Sequence, residues 1–227
     1  MIDPLSLLHE PHNQDATAKK LACVLYAIQV TVNKLSKLQL MDFLLPYYHY
    51  NNSLSIKLKH PLKDNVCVWK ASLNEHPTVI KFVHHLIYGI DVHRYLASEN
   101  MAPSVFHTEE LPGGWIVVVM DYVNGECPVS LETDNDKQNF DEFKNRLKDA
   151  LKRKEFVHGD LHSPNIIKCK DKFMVVDFDW AGKNGEVEYP ATINMQQTRW
   201  HCDVKPCHPI LHAHDEFQLD KILIQQS

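Results

Sequence analysis

The sequence predicts an α+β chain of two lobes: an antiparallel β-sheet lobe with an N-terminal helical extension, then a reduced, mainly helical lobe. Three observations carry that reading. Residues 53–83 fall into three runs of strand-like alternation separated by turn residues. Pro112-Gly113-Gly114 sits between two further β-branched runs, which is hairpin chemistry. After Asn124-Gly125 the apolar period becomes helical and stays so through Phe140, Phe143, Leu147 and Leu151.

Taken in order, residues 1–14 form a polar lead. Leu21, Val24, Leu25, Ile28, Val32 and Leu35 then repeat at helical spacing until Pro46 forbids continuation, giving a helix over about 15–45. The stretch S-L-S-I-K-L-K at 53–59 alternates strictly, V-C-V-W-K-A-S-L at 66–73 follows, and T-V-I-K-F-V at 78–83 completes three antiparallel strands. Turns are expected at 61–65 and 74–77, where Pro, Asp and Asn collect. A helix over 88–99 leads to strands 105–111 and 115–122. A second helix spans 136–154, short apolar pieces occupy 166–169 and 173–176, and an irregular stretch rich in Pro and His runs from 183 to 210. An amphipathic helix over 214–225 closes the chain. The domain boundaries implied are 1–50, 51–123 and 124–227.

Composition removes several function classes. The 227 residues contain seven glycines, at 89, 113, 114, 125, 159, 182 and 185, so neither G-x-G-x-x-G nor G-x-x-x-x-G-K-[ST] can be written. A net charge of -5 gives no basic field for a phosphate backbone, and nucleic acid is not an expected partner. The longest apolar run, 21–32, is interrupted by Gln29 and Thr31 and falls short of the roughly 20 residues a bilayer requires. No membrane association is therefore expected. The opening Met1-Ile2-Asp3-Pro4 lacks a basic n-region, and the six cysteines lack tight repeated spacing. Reduced thiols and a cytoplasmic location are the expectation.

The chemistry concentrates in His158-Gly159-Asp160-Leu161-His162-Ser163-Pro164-Asn165, followed twelve residues after Asn165 by Asp177-Phe178-Asp179 behind an apolar strand. Phosphoryl transfer needs a carboxylate that orients a hydroxyl and takes its proton, plus oxygen ligands that hold Mg²⁺ against nucleotide phosphates. An Asp and an Asn five apart, then an Asp at a strand end, supply those groups. With these motifs the chain resembles the protein-kinase-like superfamily, and the H-G-D-x-H-x-x-N and D-F-D forms are similar to the aminoglycoside and choline phosphotransferase branch. The resemblance covers about residues 54–182 and implies the two-lobed protein-kinase-like fold.

The resemblance further implies residue roles. Asp160 would be the catalytic base, and His162 either a cation steadying the transferred group or a residue that only hydrogen-bonds within the loop. Asn165 and Asp177 would hold Mg²⁺, and Lys81 of Val79-Ile80-Lys81 would grip the ATP phosphates. Asp91, on the next helix, would pair with Lys81, with Glu99 as the fallback. Met120, Asp121 and Tyr122 would lead into the segment that receives adenine. The implied activity is ATP- and Mg²⁺-dependent transfer of a γ-phosphoryl to a hydroxyl on a small molecule or protein. The alternative is a pseudokinase that serves as a binding module.

Several features depart from the family pattern. Residues 60–65 contain no glycine to fold closely over phosphates. Gly159 stands where many protein kinases carry Arg, Asp179 stands in place of the Gly of D-F-G, and only about 45 residues follow Gly182. A second cluster, His201, Cys202, Cys207 and His208 with His212 and His214, offers zinc's ligand types at loose spacing. It reads as thiols and imidazoles that pack or face solvent rather than as a closed metal site. Neither the acceptor nor the oligomeric state is legible in the sequence.

Overall fold

The computed structural model describes residues 56–62, 65–170, 172–196 and 198–224. The chain divides into two compact units, Met1–Asn52 and Ser53–Ser227, and every described residue belongs to the second. The helix expected over 15–45 lies outside the described residues.

The sheet lobe has five antiparallel strands: β1 (Ile56–Leu62), β2 (Asn65–Leu73), β3 (His76–His84), β4 (Val105–Leu111) and β5 (Trp115–Asp121). Their spatial order is β1-β2-β3-β5-β4. β3 is central, flanked by β2 and β5, and its burial follows its composition. Thr78, Ile80, Lys81, Phe82 and Val83 are all buried. The turn after β2 is tighter than the sequence predicts, because Asn74 and Glu75 both take left-handed φ, at 48° and 69°, and close it in two residues. The turn expected from Pro61 is also displaced. Pro61 lies inside β1 beside a register shift, which an edge strand tolerates because its missing N–H leaves no central ladder bond unmade.

Between β3 and β4 lies α1 (Ile90–Ser98), which buries Val92, His93 and Leu96. The second lobe is built on α2 (Asp134–Arg153) and α3 (His212–Ile224). α2 begins with a capping box. Asp136 N donates to Thr133 Oγ1 at 3.0 Å, and Thr133 N donates to Asp136 Oδ2 at 3.1 Å. Acidic Asp134 and Asp136 in its first turn and basic Lys152 and Arg153 in its last complement the helix dipole. Its buried stripe, Phe140, Phe143, Leu147 and Leu151, belongs to one core with Leu96, Val118, Phe173 and Leu219, so a single apolar cluster joins the two lobes.

Short strands hold the loops that matter. β6 (Phe156–Val157) pairs with β9 (Gly182–Lys183), and β7 (Ile166–Lys168) pairs with β8 (Phe173–Val175). The β7–β8 hairpin fits the two apolar pieces in the sequence, whereas the two-residue β6–β9 ladder carries no sequence signal of its own. The irregular stretch between β9 and α3 is pinned by a satellite core of Tyr189, Ile193, Val204 and Ile210, with Trp180 and Trp200 against it. Among the described residues, no helix is long and apolar enough to cross a membrane. Cys127, Cys169, Cys202 and Cys207 are not joined in disulfides.

Candidate active site

β3 carries Lys81 with its Cα opposite Val118 of β5, and the side chain runs beneath the sheet with only 10% of its surface exposed. A buried ammonium must be paired to stay charged. Two carboxylates meet it: Asp177 Oδ1 accepts from Lys81 Nζ at 2.5 Å, and Asp179 Oδ1 accepts from the same Nζ. Burial works against the charge on Lys81, but the two carboxylates overcome it and raise the pKa. Burial likewise works against ionisation of Asp177, yet Lys81 holds that carboxyl below its usual range. Asp179 moves the other way, pushed upward by burial and by the neighbouring Asp177 charge. Both side chains open towards solvent, Asp177 being 47% exposed and Asp179 32%.

The second half of the site is the loop from β6 to β7. Asn165 Nδ2 donates to Asp160 Oδ2 at 2.8 Å and to Asp160 O at 3.0 Å. His162 Nδ1 lies 2.8 Å from Asp160 Oδ1. Partial burial lowers the His162 pKa, but the Asp160 carboxylate outweighs it and leaves the imidazole more basic than usual. Val176 N donates to Asn165 O at 2.9 Å, so the loop is stitched to the residue preceding Asp177. Asp177 itself has φ 69°, a left-handed conformation uncommon for a residue with a side chain and concentrated at functional sites.

Behind these groups is a buried stack. Phe178 lies parallel to His93 with ring centroids 4.3 Å apart, and meets His158 and Tyr88 edge-on at 5.0 and 6.4 Å. His93 and His158 are kept neutral, each with its pKa lowered to about 4 chiefly by burial. His93 bridges the Tyr88 hydroxyl at 2.7 Å and Pro103 O at 2.9 Å. Beneath the loop, Asp215 of α3 is fully buried and accepts from His158 N at 2.7 Å and Gly159 N at 2.8 Å. Burial raises its pKa to about 7 against those two bonds.

The structure therefore brings Lys81, Asp160, His162, Asn165 and Asp177 into one site. It does not bring Asp91 there. Asp91 is exposed in the first turn of α1, because the helix turns Val92, His93 and Leu96 inward, and Lys81 pairs with Asp177 and Asp179 instead. Glu99, the fallback, pairs with Arg153 at 3.1 Å. Met120 is buried at the end of β5. Asp121 accepts a 2.7 Å contact from His76, and the Tyr122 ring sits 3.9 Å below Lys70 Nζ. The N–H groups of Asp121 and Tyr122 are donated to Ser104 O and Pro77 O, which leaves the Asp121 and Tyr122 amides committed within the protein.

Asp179, Asp215, Tyr88 and His93 were not legible as site residues. For Asp179 the D-x-D spacing was the available signal; Asp215 lies 57 positions from its partner and has none. In the Cys/His stretch, His201, Cys202 and Asp203 place ligand atoms within 4.8 Å of one another, whereas Cys207 and His208 face solvent apart from them.

Comparison with solved structures gives this architecture its class. The chain superposes on the structure of the Cydia pomonella granulovirus kinase PK-1 with a TM-score of 0.60 at 14% identity, over 75% of this chain and 67% of that one. The fold is protein-kinase-like. A second superposition, on vaccinia-related kinase 3, has a TM-score of 0.52 at 13% identity and covers 78% of this chain and 65% of the other. The chain thus spans about two thirds of the length of these kinases. The family described as RIO1, RIO domain, matches residues 113–186, a stretch that includes Asp160, Asn165 and Asp177 but not Lys81. No curated protein sequence matches the chain.

Proposed function

We propose that the chain is a phosphotransferase that moves the γ-phosphoryl of ATP, with Mg²⁺, to a hydroxyl group. The observation that carries this reading is the meeting of Lys81 with Asp177 across 96 positions of sequence, beside a carboxylate, Asp160, held by Asn165 and His162. A scaffold has no chemical need for that set, whereas phosphoryl transfer uses every member.

The donor set fits Mg²⁺. Asp177 offers a half-exposed carboxylate, and Asn165 spends its amide N–H₂ on Asp160, which leaves Oδ1 as a hard oxygen donor. Bound there, the ion would neutralise charge on the nucleotide phosphates. The remaining work falls to the protein. Lys81 fixes a phosphate oxygen by charge. Asp160, oriented by Asn165 on Oδ2 and by His162 on Oδ1, accepts the proton of the incoming hydroxyl through a remaining lone pair of its carboxylate. His162, more basic than an ordinary imidazole, offers positive charge beside the proton acceptor. Met120, buried at the end of β5, with Asp121 and Tyr122 after it, is the segment that would receive the adenine.

The H-G-D-x-H-x-x-N motif and the acidic residue at 179 support a small-molecule acceptor of the aminoglycoside and choline phosphotransferase kind over a protein. Thermal denaturation with ATP and Mg²⁺, each alone and then together, tests the nucleotide reading, because a ligand that binds only the folded chain raises its melting temperature. A rise that requires both components is expected. No shift at millimolar concentrations of both overturns it and leaves a kinase-like binding module.

A further inference from the structure

We propose that Asp179 is the positioning residue for Lys81, doing from the D-F-D segment what an acidic residue on α1 was expected to do. The inference rests on the phosphotransferase reading and adds to it a division of labour between the two aspartates.

The argument begins with what α1 presents to Lys81. Its acidic residue Asp91 faces solvent, and Glu99 at its C-cap is engaged by Arg153. The side chain α1 turns towards the D-F-D segment is His93, stacked on Phe178 and bridged between Tyr88 and Pro103. The Tyr88 ring lies 5.3 Å from Lys81 Nζ and supplies an aromatic floor rather than a countercharge. Among the described residues, the carboxylates that reach Nζ are therefore Asp177 and Asp179, both from one short segment.

Those two cannot be equivalent once a metal and nucleotide arrive. Asp177 is the more exposed, follows the strand stitched to Asn165, and is the carboxylate the cation would claim. A carboxylate drawn to a divalent ion gives up part of its hold on an ammonium, and Lys81 would then need a second anchor to keep its direction. Asp179 Oδ1 accepts from the same Nζ, and Phe178, which separates the two aspartates in sequence, is locked in the core at 1% exposure. The buried Phe178 anchors the short segment that carries both carboxylates, so Asp179 can keep Lys81 aimed while Asp177 serves the metal.

Two measurements on the full chain decide the matter. The first is a double-mutant cycle read by urea unfolding, which needs no nucleotide. Asp179→Asn is expected to lower the folding equilibrium constant about tenfold in the parent chain, the low end for a hydrogen bond to a charged group. In the Lys81→Met background the same change should be neutral or stabilising, because the bond to the ammonium is gone and an asparagine can still hydrogen-bond Asp177 without its charge. Equal losses in both backgrounds, or a Lys81-dependent loss from Asp91→Asn instead, would overturn the proposal. The second is turnover with MgATP. Asp179→Asn should cut kcat tenfold or more with the Mg²⁺ requirement unchanged, and Asp179→Glu should restore part of it. A raised Mg²⁺ requirement matching that of Asp177→Asn would make Asp179 a metal ligand and refute the positioning role. If the parent chain neither binds nor turns over MgATP, the phosphotransferase reading falls, while the unfolding cycle still decides whether Asp179 holds Lys81.

Discussion

Gly159 offers a test of how tightly the loop carrying Asp160 is built. Its φ is 83°, and a Cβ added there would stand 2.8 Å from Ile210 Cδ1, 3.2 Å from Trp180 Cβ and 3.3 Å from Trp180 O. Gly113, in the β4–β5 turn, has a similar φ of 77°, but its added Cβ would meet nothing nearer than Trp115 Cδ1 at 3.7 Å. The pair separates backbone conformation from crowding. Left-handed backbone costs a residue with a Cβ about 1–2 kcal/mol, and Gly→Ala regains about 0.4–1 kcal/mol by stiffening the unfolded chain. Gly113→Ala should therefore cost at most about 1.6 kcal/mol.

Gly159→Ala carries the same balance plus overpacking of about 1–3 kcal/mol, because the Trp180 backbone cannot retreat even though Ile210 Cδ1 can rotate. At roughly 2–4 °C per kcal/mol for a domain of this size, calorimetric melting should fall by several degrees more for Gly159→Ala than for Gly113→Ala. Ile210→Val, which removes the nearest atom, should recover part of that loss in the Gly159→Ala background. Equal melting temperatures for the two alanine variants would refute the crowding argument. So would an Ile210→Val change that merely adds its own cost.

Further outcomes follow from the site. Asp177→Asn should abolish Mg²⁺-dependent ATP binding in calorimetry, whereas Asp160→Asn should preserve binding and remove turnover; equal loss of affinity in both would contradict separate jobs for the two carboxylates. Phe178→Ala, which empties the centre of the His93–His158–Tyr88 stack, should cost about 3–5 kcal/mol by urea unfolding, and a cost under 1 kcal/mol would show that the stack is not a core. The pKa of His93 falls from 6.5 to about 4 on folding, so its contribution is complete above pH 6.5 and is lost as the pH drops towards 4, where the unfolded chain binds the extra proton. His93→Phe lacks that loss, and its stability relative to the parent should improve by up to about 3 kcal/mol between pH 7 and pH 4; a difference that does not change with pH would show that His93 is not buried neutral.

What the sequence disclosed, and what it withheld, follows from the range of the interactions involved. β2, β3 and β5 were readable because alternation is local, and the β7–β8 pair because its two apolar runs flank a short turn. Pro61 misled because a proline reads as a turn until the strand is known to be an edge. Asp160, Asn165 and Asp177 were readable because their spacing along the chain reflects a chemical requirement. Asp91 was not, since a helix of nine residues can turn any of several neighbouring positions inward, and packing against Phe178 selected His93 over Asp91. Asp215 and the β6–β9 ladder depend on contacts between distant segments, and no local pattern announces either.

The aromatic cluster under residues 183–211 has an optical consequence. Trp180 follows Asp179 directly and lies 6.1 Å from Trp200, ring centre to ring centre, in a pocket closed by Tyr189. The other two tryptophans, Trp69 and Trp115, belong to the sheet. Indole emission responds to nearby charge and to the polarity around the ring, so a change of partner at Asp179 would be written into the spectrum of its neighbour. Replacing Trp69 and Trp115 by Phe would leave an intrinsic fluorophore pair beside the D-F-D segment. Occupancy of the cleft could then be followed by eye of the spectrometer in real time, without a label and without knowing the acceptor.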